Sequence, residues 1–181
     1  MTPKPMLILT ILLILSAAVL GGCQAKTPVS ASAAEINLTA ADLDSAFSLT
    51  AEDTFNPAMP PDVADYNQRI FTSSKATIYA RVVIYQDLIN SEEVIELHRA
   101  SLEAELSAGM GENLLGFEQA ETLKLGQTAL TEAIRLNRME GNFLIWADRN
   151  VIFELIAIGR FGAVSRDQLE DLARLTLRRA K

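Results

Sequence analysis

Residues 151–158 (VIFELIAI) carry no polar side chain except Glu154. Successive side chains of a strand point to opposite faces, so this strand is apolar on both and belongs in the middle of a sheet. The rest of the chain has to supply strands to flank it and helices to cover it.

Those elements are legible on either side. Residues 76–86 (ATIYARVVIYQ) form the clearest further strand. Ile78, Ala80, Val82 and Ile84 point one way, and Thr77, Tyr79, Arg81, Val83 and Tyr85 the other. Residues 117–123, 130–138 and 143–147 lead into 151–158 as an antiparallel meander. Glu-Gly-Asn at 140–142 and Asp-Arg-Asn at 148–150 have the composition of hairpin turns. Between the first strand and the meander, Asn90 with Glu93 offers a helix cap, and a helix runs to about residue 108 before Gly109 and Gly111 end it. Its apolar arc is Val94, Ile95, Leu97, Leu102 and Leu106, with Glu92, Glu96, Arg99 and Glu103 opposite. Ser165 and Gln168 cap a last helix whose stripe is Leu169, Leu172, Ala173, Thr176 and Ala180. Upstream, Phe47 and Leu49 mark a short strand, residues 56–62 (NPAMPPD) a turn, and the spacing of Val63, Tyr66 and Ile70 a short helix starting at Pro61 or Asp62. The fold class expected is α+β, an antiparallel sheet packed against two main helices, in one domain over 36–181.

The first 22 residues do not belong to that domain. A short basic start with Lys4 precedes a 15-residue run without charge, 6–20 (MLILTILLILSAAVL), and then Gly21 and Gly22. The run is short for a membrane span and right for the apolar region of a signal peptide. Leu20-Gly21-Gly22-Cys23 resembles the lipobox of bacterial lipoproteins. The resemblance implies that lipid is attached to the Cys23 thiol and that the leader is cleaved before it. It makes the membrane a partner, through acyl chains worth about 0.8 kcal/mol per buried methylene. Residues 23–35 read as the lipidated N-terminus and a flexible tether, small and polar. Gln24, where Asp could stand, resembles cargo sent to the outer membrane, facing the periplasm, if the host has two membranes. With one membrane the protein sits on the outer face of the cytoplasmic membrane.

Composition excludes several functions. The formal charge is −7, and a chain this acidic lacks the basic footprint of a nucleic-acid binder. Cys23 is its only cysteine and His98 its only histidine, so no intramolecular disulfide and no common zinc ligand set can be assembled. No cofactor motif is present. Gly109-Met110-Gly111 lacks the Lys and Ser/Thr of a phosphate loop and ends a helix instead of starting one. No G-x-S-x-G turn occurs. His98 lies within an apolar helical arc and reads as a packed residue making one hydrogen bond, with Glu105 nearby. Trp146 reads as core. One surface stands out: Tyr79, Arg81 and Tyr85 share a strand face that would bind a ligand if no helix or loop covered it.

The order of elements, and the run from Leu125-Gly126 through Trp146-Ala-Asp-Arg-Asn150-Val to the last helix, resembles small secreted domains of the Mog1/PsbP-like type. That resemblance implies a fold and no active site. The expected function is a non-enzymatic interaction or accessory module of the cell envelope, binding an unidentified protein partner or a small ligand. The alternatives are a carrier of a small hydrophobic ligand and an enzyme of unrecognised type.

Overall fold

The structure is a computed structural model that describes residues 27–54 and 60–181. The leader and Cys23 lie outside the described residues. Eight strands are described: β1 (Ser48–Asp53), β2 (Val63–Thr72), β3 (Ala76–Tyr85), β4 (Leu114–Phe117), β5 (Glu121–Thr122), β6 (Thr128–Leu136), β7 (Glu140–Asp148) and β8 (Val151–Gly159). They form one antiparallel sheet in the order β1-β2-β3-β8-β7-β6-β4, with β5 also paired to β6. The helices are α1 (Ala33–Ile36), α2 (Ser91–Met110) and α3 (Arg166–Arg179).

β8 is central, between β3 and β7, and every one of its residues is buried. The alternation of β3 decides the two layers. Ile78, Ala80, Val82 and Ile84 join Trp146, Phe153 and Leu155 under α1 and α3, with Leu169 and Ala173 above them. Val83 and Tyr85 join Phe143, Ile145 and Ile152 under α2, with Ile95, Leu102 and Leu106. Each large apolar side chain buried this way contributes about 1.5–3 kcal/mol. Trp146 is fully buried, and its indole N–H donates to the Thr176 hydroxyl at 3.2 Å. The Ser165–Gln168 capping box of α3 is formed in both directions.

The structure corrects several expectations. Residues 63–72 are a strand, not a short helix. The side chains of β2 that face α1 are Asp65, Asn67, Arg69 and Phe71, and three polar residues among the four hid the period of two. They are met by residues 32–38, a segment that begins inside the expected tether and runs into the expected domain. Ser32 and Glu35 form a capping box, Ala33 and Ile36 are buried, and residues 32–38 lie across β2. The Ala33 N–H donates to Asp65 Oδ2 at 2.7 Å, Asn37 Nδ2 donates to Asn67 Oδ1 at 2.7 Å, and Arg69 Nη1 donates to the Leu38 carbonyl at 2.9 Å. One cause therefore explains both differences: a polar strand face was paired with a polar-looking segment.

Others are local. Gly141 and Asn142 belong to β7, and the turn lies at 137–139. A Cβ on Gly141 would come within 3.1 Å of both the Ala157 carbonyl and Ile134 Cδ1, so this glycine serves close packing. The strand expected at 117–123 is two short ones, β4 and β5. Leu97 is 64% exposed, outside the buried arc of α2. Asn90 makes no cap to the α2 backbone; its amide donates to Glu93 Oε2.

Candidate functional site

The face carrying Tyr79, Arg81 and Tyr85, a binding surface only if left uncovered, is roofed by α2. Tyr85 is buried, and Tyr79 packs half-buried against the same cluster. What lies beneath the helix is a charged cluster centred on Glu154, which β8 aims toward α2. Glu154 Oε1 accepts from His98 Nδ1 at 2.5 Å, and Oε2 accepts from Arg81 Nη1 at 2.8 Å. Arg81 Nε donates to Gln68 Oε1 at 3.0 Å, and Nη2 pairs with Glu105 Oε2 at 3.1 Å. The other nitrogen of His98 meets the Tyr85 hydroxyl at 2.8 Å. His98 is thus packed as expected but has two partners instead of one. Glu105 pairs with Arg81, not with His98.

The electrostatics follow from burial and pairing. Burial alone would raise the Glu154 carboxyl, but the His98 hydrogen bond and the Arg81 charge outweigh it and hold the group below its ordinary value. Burial would likewise lower Arg81, and the Glu154 and Glu105 charges reverse that. Burial, assisted by Asp62 and Glu154, pushes the Tyr85 hydroxyl up to about 12. Carboxylate, imidazole and hydroxyl stand in a row, the order that activates a nucleophile when a base is oriented by an acid. Here the hydroxyl is harder to ionise than usual and is buried. The cluster fastens α2 to the sheet. One further pair ties the same helix down: Arg99 Nε meets buried Glu132 of β6 at 3.2 Å, as well as Glu103 of its own helix at 2.8 Å.

The open site lies on the opposite layer. A groove of about 460 Å³ runs between α3, the segment 42–47 and the β2–β3 turn. Its apolar surface is Leu43, Phe47, Ile78, Val164, Leu172 and Leu175; Lys75, Arg178, Asp44 and Asp171 stand at its rim. The segment 42–47 is fixed at one end by Arg179, which donates to the Asn37 carbonyl at 2.8 Å and pairs with Asp42 at 2.7 Å. None of the groove's residues was singled out from sequence as a binding residue. Its wall comes from three segments far apart in the chain, and only the α3 stripe was visible. Among the described residues no group of three or more His, Cys, Asp or Glu side chains is placed to hold a metal ion, and no helix is long and apolar enough to cross a membrane.

The described chain also fixes where the N-terminus enters. The Val29 N–H donates to Asn150 Oδ1 at 2.7 Å, and the Asn150 amide donates to the Tyr85 carbonyl at 2.9 Å. Entry is therefore at the strand end carrying the β7–β8 turn. The β2–β3 turn and the loop at 163–164, which line the groove, are at the other end.

The sequence matches no protein-family profile and no curated protein. Solved structures are similar in fold. The extracellular domain of PknH from Mycobacterium tuberculosis superposes with a TM-score of 0.61 at 11% identity, covering 85% of this chain and 97% of that one. An uncharacterised protein from Mycobacterium smegmatis (the Rv0999 ortholog) is similar at a TM-score of 0.43 and 9% identity, over 77% of this chain and 92% of that one. The chain thus has the fold of a known bacterial extracellular domain, an α+β sheet packed against helices.

Proposed function

We propose that this chain is a lipid-anchored envelope protein, held by acyl groups on Cys23, whose domain is a non-enzymatic interaction module. The supporting observation is the point of entry. Val29, only six residues after Cys23, is already bonded to the domain. Fully extended, that stretch spans about 20 Å. The anchored end is thus kept close to the bilayer, and the β2–β3 turn and the loop at 163–164, which form one end of the groove, lie at the far end of strands about 30 Å long, nine residues at about 3.4 Å each. The fold shared with an extracellular domain agrees with an envelope address. The test is Cys23→Ala, followed by palmitate labelling and membrane fractionation in the host. Loss of label, an uncleaved leader and loss of mature protein from membranes are expected. Normal labelling of the variant refutes the anchor.

A second reading is favoured by the groove itself, whose volume and apolar floor suit a small hydrophobic ligand carried between sheet and helix. Saturable binding of a fluorescent fatty acid, abolished by Leu175→Arg, supports a carrier. Binding that ignores this substitution refutes it.

A further inference from the structure

Six large apolar side chains are exposed among the described residues, and three of them meet in one place. Leu115 on β4, Met139 in the β6–β7 turn and Phe161 after β8 are 61, 37 and 72% exposed, and all three line a second groove of about 350 Å³. Its floor is Ala133, Ile134 and Asn142. Three such residues converging from three elements form a patch, unlike single exposed apolar residues, which are ordinary.

Phe161 is held in position. It sits in a turn closed by the Ala163 N–H donating to the Arg160 carbonyl at 2.9 Å. The Glu140 carboxylate accepts from the Gly162 N–H and ties that turn to β7. Gly162 has φ +72°, which the turn requires and which a side chain would strain. A large ring presented on a fixed turn loses little freedom on binding, as suits an anchor residue.

Charge around the patch runs against the chain's overall −7. Arg135 lines the groove, and Arg138 and Arg160 are the immediate neighbours of Met139 and Phe161. All three are exposed, and none is in an ion pair among the described residues, whereas Arg69, Arg81, Arg99, Arg149, Arg166, Arg174 and Arg179 all are. Two carboxylates face them from the groove, Glu118 and the already engaged Glu140.

We propose that this groove docks an acidic segment of a partner protein that inserts a large apolar side chain between Phe161, Met139 and Leu115. The choice of a protein over the anchoring bilayer rests on the envelope reading. The β6–β7 turn and the Phe161 turn are at the strand ends opposite the entry of Val29, about 30 Å from it at about 3.4 Å per strand residue.

The test uses the full chain, lipidated and reconstituted in phosphatidylcholine vesicles, with Asn137→Cys carrying a polarity-sensitive dye beside the groove. Two synthetic peptides are titrated, one rich in Asp and Glu around a central Phe, the other with Lys at the acidic positions. A saturable blue shift is expected with the acidic peptide only. Phe161→Ser and Arg135→Glu should each weaken it about tenfold, and Leu97→Ser on α2 should leave it unchanged. Because Phe161 is mostly exposed, its variant should keep the wild-type unfolding temperature. Four results overturn the proposal: no response, equal response to both peptides or in Phe161→Ser, a shift caused by adding phosphatidylglycerol alone, or one caused by raising protein density alone. Dye stoichiometry reports separately on the anchor: one dye per chain if Cys23 is blocked by lipid, two if it is free.

Discussion

Glu154 shows how much one residue can commit a fold to. It is a nearly inaccessible carboxylate on a central strand, and it is kept charged by Arg81 from β3 and His98 from α2. Removing the charge leaves the guanidinium under α2 without its main partner, and breaking a buried pair costs about 3–5 kcal/mol. Glu154→Gln is therefore expected to lose about 3 kcal/mol in urea unfolding at pH 7. The pH dependence has a definite sign. Since the folded-state group is lowered from 4.5, its stabilisation is fully present above that value and is lost as pH falls through the folded value below it. The difference between wild type and variant should narrow only under acid below about pH 4.5; a difference that already narrows between pH 7 and 6 would contradict the assignment. Sequence marked Glu154 as the one polar interruption of its strand. It did not reveal the partners, which lie 73 and 56 residues away and come from elements whose packing had first to be known.

Among the elements, the β3 alternation, the central place of β8, and the two long helices with the α3 cap were all legible, because each follows a hydrophobic period. β2 and α1 were not. Ala33, Ile36, Leu38 and Phe71 pack together, but the rest of their contact is polar, Asp65, Asn67 and Arg69 meeting the backbone and side chains of 33–38, and so few apolar positions leave no readable period. The two grooves were hidden for another reason, since each is assembled from segments that meet only in the folded chain. Deleting residues 27–38 should strip Asp65 Oδ2 and Asn67 Oδ1 of their partners, at about 1–3 kcal/mol each, and take Ala33, Ile36 and Leu38 out of the core, enough together to abolish cooperative thermal unfolding by circular dichroism. If residues 27–38 were only a linker, the same deletion would leave the transition where it was. Gly141→Ala tests the misread turn. A methyl at 3.1 Å from Ala157 O and Ile134 should cost about 1–3 kcal/mol in urea, whereas a true turn glycine on the surface would tolerate it.

For the whole molecule, the sheet works as a spacer between two ends with different roles. Chain entry, the β7–β8 turn and the C-terminal end of α3 are together at one end, where the Arg149 guanidinium donates to the Ala180 carbonyl. The exposed aromatic turn and the β2–β3 turn are at the other. Cutting the chain within 24–26 should release a domain with an unchanged unfolding temperature, because among the described residues bonding of the N-terminal segment to the domain starts at Val29; a lowered temperature would place folded structure nearer to Cys23 than that.

The strap formed by residues 29–38 also sets how the domain would respond to force. A partner pulling on the Phe161 end while acyl chains hold Cys23 loads the molecule along its strands. The β3–β8 hydrogen bonds then resist together in shear, but the strap is pulled from its own end and its bonds are loaded one after another, Val29 to Asn150 first and Ala33 to Asp65 next. If Cys23 is the anchor, as proposed, the strap is a mechanical fuse in series with it. It yields before the sheet does, bares the polar face of β2, and lengthens the tether by the residues it releases.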